Sequence, residues 1–259
     1  MANLNRHLVG HHKELINSHF NAILTDAQMG RSVQCSINGK TVTKYMIRQF
    51  CTGSDLDSVC IDTVLELFRL RDKRIVSAHH SVNKDRNNYV RLPKNLFCSP
   101  TLMFSLIENE PAVIDSYFSE NFNIHEFSYA FIPWQTTRDN QNIWSLIVID
   151  CKRKNLFLFC CDLEPGNISP IITAQMKRVD EVLQPLLHKL FPDMAVLPQC
   201  SAYPYLYSEV VHEASDSGVM VLTILYYLVK GCPIAFMKSD FDKLRFKFPY
   251  WLLLESLPL

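Results

Sequence analysis

The run Ile143-Trp144-Ser145-Leu146-Ile147-Val148-Ile149-Asp150 is apolar on both faces that a strand presents. Side chains alternate between those faces, so this strand must lie in the middle of a sheet with material packed above and below it. Cys151-Lys152-Arg153-Lys154 supplies a turn, and residues 156–161 (Leu-Phe-Leu-Phe-Cys-Cys) return as the hairpin partner. Residues 127–134, aromatic and β-branched and ending in Pro133-Trp134, read as another strand.

A doubly covered sheet needs helices, and the spacing of apolar residues supplies them. After Ser169-Pro170, Ile172, Met176, Val179, Leu183, Leu186, Leu187 and Leu190 fall on one helical face, with Pro185 as a kink. Ser217-Gly218 opens residues 219–229, apolar all round and therefore buried on all sides. A last helix is expected over 241–257. Upstream, a helix capped by Ser54 or Asp55 places Leu56, Val59, Cys60, Val64, Leu67 and Phe68 on one face and turns Asp57, Asp62, Glu66 and Arg69 away. Residues 100–108 and 112–122 read as short helices, 196–198 and 205–212 as strands, and the His79-His80 pair as part of an exposed polar loop. A short hairpin fits around Gly30 and Gly39. Leu4, Leu8, Leu15 and Ile23 mark an amphipathic helix over 4–24. Helices first, then a mixed sheet with helices on it, is an α+β architecture. It divides into an N-terminal extension, 1–44, and one domain, 45–259.

Composition narrows the function classes. Lys plus Arg balances Asp plus Glu at 26 each, which removes any general attraction to nucleic acid or anionic lipid. The nine cysteines form no Cys-x-x-Cys pair and sit in apolar runs, as reduced intracellular thiols do. The first twenty residues lack the apolar run of a secretory signal, and 219–229 is about half a membrane span. His7 and His11 stand four residues apart near His12 and His19, but no Cys or acidic ligand accompanies them at motif spacing, so no metal and no cofactor are expected.

Three segments together resemble the SUMO-specific and adenoviral-type cysteine proteases. That family carries His-Trp-x-Leu-x-Val-Ile-Asp on a central strand, an Asp at the end of the paired strand, and a Gln ahead of an Asp-Cys-Gly that opens a buried helix. The matching segments here are residues 143–150, Phe159-Cys160-Cys161-Asp162 and Asp216-Ser217-Gly218-Val219. Residues 56–68 are similar to the family's opening helix, and 241–254, with Arg245, to its closing one. The resemblance covers about 45–259 and implies a papain-like, adenoviral-protease-like fold: a central mixed sheet flanked by helices.

The departures bear on chemistry. Laid on the motif, Ile143 stands at the catalytic His, Cys160 at the Asp and Ser217 at the nucleophilic Cys. A serine hydroxyl depends on a base even more than a thiol does, and isoleucine accepts no proton. Asp162 lies two residues beyond the acid's place, about 7 Å along a strand. For the oxyanion Gln, Val211 or His212 stands in position, with Gln199 as the alternative across an insertion. Of the two Trp residues that roof the substrate-tail tunnel, Trp144 is kept as a candidate contact and Asp55 replaces the other. The resemblance therefore implies a pseudoprotease acting as a protein–protein interaction module, intracellular and nuclear. Its partner would be SUMO, another ubiquitin-like protein or a complex subunit, with no membrane and no direct nucleic-acid binding. The alternative is a hydrolase or acyltransferase built on Ser217 or Cys200 with His212.

Overall fold

The computed structural model describes residues 33–83, 94–108, 110, 118, 122–138, 140–160, 169–203, 214–235 and 238–253. The expected helices over 4–24 and 112–122 (apart from Phe118 and Phe122) and the expected strand over 205–212 lie outside them. In chain order the elements are β1 (Val33–Ile37), β2 (Lys40–Thr43), α1 (Lys44–Thr52), α2 (Ser58–Asn83), β3 (Lys94–Phe97), α3 (Thr101–Ile107), β4 (Phe127–Arg138), β5 (Gln141–Asp150), β6 (Asn155–Cys160), α4 (Pro170–Leu190), β7 (Cys200–Ala202), α5 (Ser217–Val229) and α6 (Lys238–Leu253).

β3 to β7 form one mixed sheet in sequence order, antiparallel at β4–β5 and β5–β6 and parallel at both ends. β5 is its middle strand, and every residue from Ile143 to Asp150 is buried. Trp144, Leu146 and Val148 belong to a core shared with α2, α5 and α6. Ile147 and Ile149 belong to a second core with α3 and α4. The two-sided apolar pattern thus has its cause: one strand serves two cores. β1 and β2 make a hairpin turning at Asn38 and Gly39, both with positive φ. The hairpin's Ile37 and Val42 lie in the first core with Phe50 and Phe68.

Several expectations change. α2 runs to Asn83 and takes in His79, because no Gly or Pro interrupts 58–92. Its cap is Asp57, whose Oδ1 accepts from Cys60 N at 2.7 Å. Val59 is 60% exposed, whereas Glu66 is buried. Burial alone would raise the Glu66 carboxyl, but bonds from Arg69 and Asn38 hold it below its usual value. Partnered on both oxygens, this carboxylate can face inward. α1 was not anticipated, although Thr43 (Oγ1 accepting from Met46 N) and Gly53 (φ 70°) mark its ends. The short parallel strand forms at Cys200–Ala202 instead of 196–198, with Val196 77% exposed. Ser169 caps α4 as expected, and the helix continues through Pro185. Among the described residues no helix is long and apolar enough to cross a membrane.

Candidate functional site

The β5–β6 ladder ends, among the described residues, at the pair Ser145↔Cys160, while β5 continues four residues further, to Gln141, with β4 alone beside it. Ile143 is two positions from Ser145, so it shares a face of the hairpin with Cys160 as its diagonal neighbour. The amide of Trp144 points off the side that β6 no longer covers. Ser217 meets it there: its Oγ accepts from Trp144 N at 3.0 Å and donates to Ala214 O at 2.6 Å. The positions 143, 160 and 217, separated in sequence, therefore come together at the end of the hairpin.

What the corner lacks is room. Ile143, Trp144, Cys160 and Ser217 are each at most 2% exposed. The indole Nε1 of Trp144 donates to Leu56 O at 2.8 Å, tying β5 to the segment before α2. A Cβ placed on Gly218 would stand 3.0 Å from Leu56 Cβ and 3.2 Å from Trp144 Cδ1, so only glycine lets these groups close over the start of α5. Asp55, beside Leu56, is exposed.

A serine ahead of an apolar helix ordinarily caps it, but Ser217 does not. It is the first residue of α5, and its hydroxyl is spent on β5 and on the 3-10 turn Ala214–Asp216. Asp216 holds the cap position without a capping bond and instead pairs with Arg245, whose other nitrogen reaches Phe50 O at 3.3 Å. The buried guanidinium thereby fixes the turn that presents Ser217 against α1 and α6.

A base is not at hand among the described elements of this corner. His79, His125 and His188 stand on α2, on the turn before β4 and on α4, and none lies on β5, β6 or the start of α5. His212, Val211, Cys161 and Asp162 lie outside the described residues, as do His7, His11, His12 and His19. Gln199 is exposed, just ahead of β7. Cys200 has its thiol pushed up to about 12 by burial, with Asp180 adding to the rise, and Cys98 and Cys151 are likewise pushed up to about 12 by burial. Such thiols hold no thiolate at neutral pH. Among the described residues no three His, Cys, Asp or Glu side chains gather as a metal site.

Solved structures resemble this arrangement throughout its length. SUMO protease Ulp1 with its catalytic cysteine oxidised to a sulfenic acid superposes with a TM-score of 0.66 at 12% identity, covering 93% of this chain and 94% of that one. The Ulp1 protease domain in complex with Smt3, the yeast ortholog of SUMO, gives 0.62 at 14% identity over 93% and 95%. The Ulp1-like SUMO protease catalytic domain of Chaetomium thermophilum gives 0.61 at 14% over 95% and 91%. The chain has the Ulp1-like fold. No protein-family model matches it, and no curated protein matches it in sequence.

Beside the closed corner, this Ulp1-like fold carries an open groove that the sequence did not announce. About 510 Å³ of space lies between β2 and the first turns of α2, with Lys40, Thr43, Tyr45, Val59 and Asp62 on its walls. A second hollow of about 230 Å³, lined by Phe104, Ile107 and Trp134, shares Ser58 and Thr101 with it. Val59 and Phe104 are 60% and 63% exposed, and Tyr45 and Ile107 also face water. The available signal was Val59 itself, but helical periodicity assigned it to the core side.

Proposed function

We propose that this chain is a catalytically inactive SUMO-protease-like domain that works as a protein–protein interaction module. It holds a ubiquitin-like protein against the groove beside α2 and serves as a subunit of a nuclear complex. The observation that carries this reading is the Ser217 hydroxyl. Its proton is directed at Ala214 O and its lone pair takes the Trp144 amide, in a corner where Ile143 offers no base. A hydroxyl nucleophile needs a neighbouring group that removes its proton. The bond from Trp144 to Leu56 supports the reading, since it commits the candidate contact residue to the protein's own backbone.

The choice of partner rests on two supports. A protein of this fold is solved in complex with the yeast ortholog of SUMO. The groove exposes Tyr45 and Val59 and the adjoining hollow exposes Phe104 and Ile107, apolar side chains of the kind that anchor protein interfaces. The nuclear setting is carried over from the sequence resemblance. A rearranged hydrolase site built on Cys200 is not favoured, given the raised pKa of that thiol.

The test is made on the full chain. SUMO and ubiquitin bearing a C-terminal vinyl sulfone are expected to form no adduct, and fluorogenic SUMO to release no dye above blank. Turnover that Ser217→Ala abolishes would overturn the reading. In parallel titrations of SUMO, Val59→Asp with Phe104→Asp should weaken binding by about tenfold or more, while Ser217→Ala leaves it unchanged.

A further inference from the structure

The chain's zero net charge conceals a segregated one. Residues 69–94 hold eight of its 26 Lys and Arg but only two of its 26 Asp and Glu. The described part of this segment is the second half of α2 and strand β3, and between them lies a cleft of about 310 Å³. Its apolar lining is Val76, Leu96, Phe97 and Phe127, and its cations are Arg69, Lys73 and Lys94. The one carboxylate in its lining, Asp72, accepts from both the backbone and the side chain of Asn95 at 2.9 Å.

Two details decide what such a cleft accepts. β3 is an edge strand, but α2 already occupies two of its outward groups: Asp72 takes Asn95 N, and Arg69 donates to Phe97 O from Nε and Nη2 at 3.1 and 2.7 Å. A partner strand would have to displace Asp72 and Arg69 to add there, so a ligand binds more readily through side chains. Arg69 is also held by Glu66, which leaves Lys73, exposed on α2, and Lys94 as the groups that meet a ligand's charge. The pair Lys94–Glu126, 3.7 Å apart and open to solvent, is of the weak kind that a ligand carboxylate displaces readily.

We infer that this cleft is a docking site for an acidic peptide segment that carries an apolar anchor. The anchor fills the space over Val76 and Leu96, and flanking carboxylates meet Lys73 and Lys94. The shape disfavours nucleic acid. Single strands ask for a row of cations with free aromatic faces on which bases stack. Here the cations ring one hollow and both of its aromatic rings are already engaged, Phe127 stacked on Phe122 with centroids 5.3 Å apart and Phe97 stacked on Phe131 at 5.4 Å. The site lies apart from the groove between β2 and the first turns of α2, and the inference does not depend on that groove's function.

The experiment uses the full chain and three fluorescein-labelled probes: Glu-Glu-Leu-Phe-Glu-Glu, Glu-Glu-Ser-Ser-Glu-Glu and oligo(dT), followed by polarisation at low and high salt. The Leu-Phe peptide is expected to bind and to weaken with salt. Binding should fall about tenfold in Lys73→Glu and in Lys94→Glu and stay unchanged in Lys177→Glu, an exposed site on α4. Both cleft variants should keep the wild-type melting temperature, because these side chains face solvent. The Ser-Ser peptide should bind about tenfold more weakly, through loss of the buried anchor. Absence of peptide binding, indifference to the two reversals, or equal binding of the Ser-Ser peptide would overturn the proposal. Tighter binding of oligo(dT), lost in Lys73→Glu, would replace it with a nucleic-acid site.

Discussion

The corner at the end of the β5–β6 hairpin and the groove beside the first turns of α2 share one short segment, residues 56–62, yet they are built on opposite terms. At the corner, Leu56 gives its carbonyl to Trp144 and its side chain to the cover over Gly218, and Ser217 spends its hydroxyl inside the protein. Three residues later Val59 stands in water, and Phe104 and Tyr45 extend that apolar line. The Ser217 hydroxyl and the Trp144 indole are used up where apolar residues fill the space, and apolar groups are left over where space is open. The uncommitted surface thus lies beside the packed corner instead of in it. Surplus apolar surface rimmed by polar groups is what a binding face has to offer.

The comparison predicts a stability gradient that substitutions can break. Trp144→Ala should have the largest effect. It removes a fully buried ring, its bond to Leu56 and the cover on Gly218, at a cost of about 3–5 kcal/mol, read as a loss of roughly 10 °C in melting temperature. A near-wild-type melt would mean that the corner is not the packed body described. Gly218→Ala comes next, at about 1–3 kcal/mol, because the added methyl meets Leu56 and Trp144 inside contact distance. In a double-mutant cycle in urea, combining it with Leu56→Ala should cost less than the two single changes together, since the truncated side chain makes room. Strict additivity would locate the strain elsewhere. The smallest effect belongs to the groove. Val59→Ser and Phe104→Ser should each change stability by no more than about 0.5 kcal/mol, and a larger loss would show that these side chains serve the core rather than a partner.

Much of the framework was legible in advance because its signals are local or periodic. Two-sided apolarity put residues 143–150 at the centre of the sheet, and the Ser169-Pro170 pair marked the start of a helix. An unbroken apolar run announced a buried α5, whose residues from Ser217 to Leu225 are all covered. Less legible were positions where one pairing reverses a side chain's direction. Glu66 reads as a surface residue on any helical wheel, and it is buried only because Asn38 and Arg69 complete its hydrogen bonds. Val59 reads as core and is exposed because the α2 face it occupies looks into the groove. Ser217 reads as a helix cap, yet it serves the unpaired end of β5.

The sequence by itself determined that Ile143, Cys160 and Ser217 carry no base and no thiol placed ahead of the helix, since residue identity fixes proton affinity before any folding. It also determined that β5 would be covered on both sides. Only the tertiary structure decided how that corner is filled. The Ser217–Trp144 bond spans 73 residues and the Trp144–Leu56 bond spans 88, and no local periodicity encodes which distant amide a hydroxyl will meet. The same holds for charge. Composition gives a total of zero, but a total has no position. The pairing of β3 with α2 is what gathers Lys73 and Lys94 around one apolar cleft. Net charge is a sum over the chain, whereas electrostatic attraction depends on distances that only folding sets.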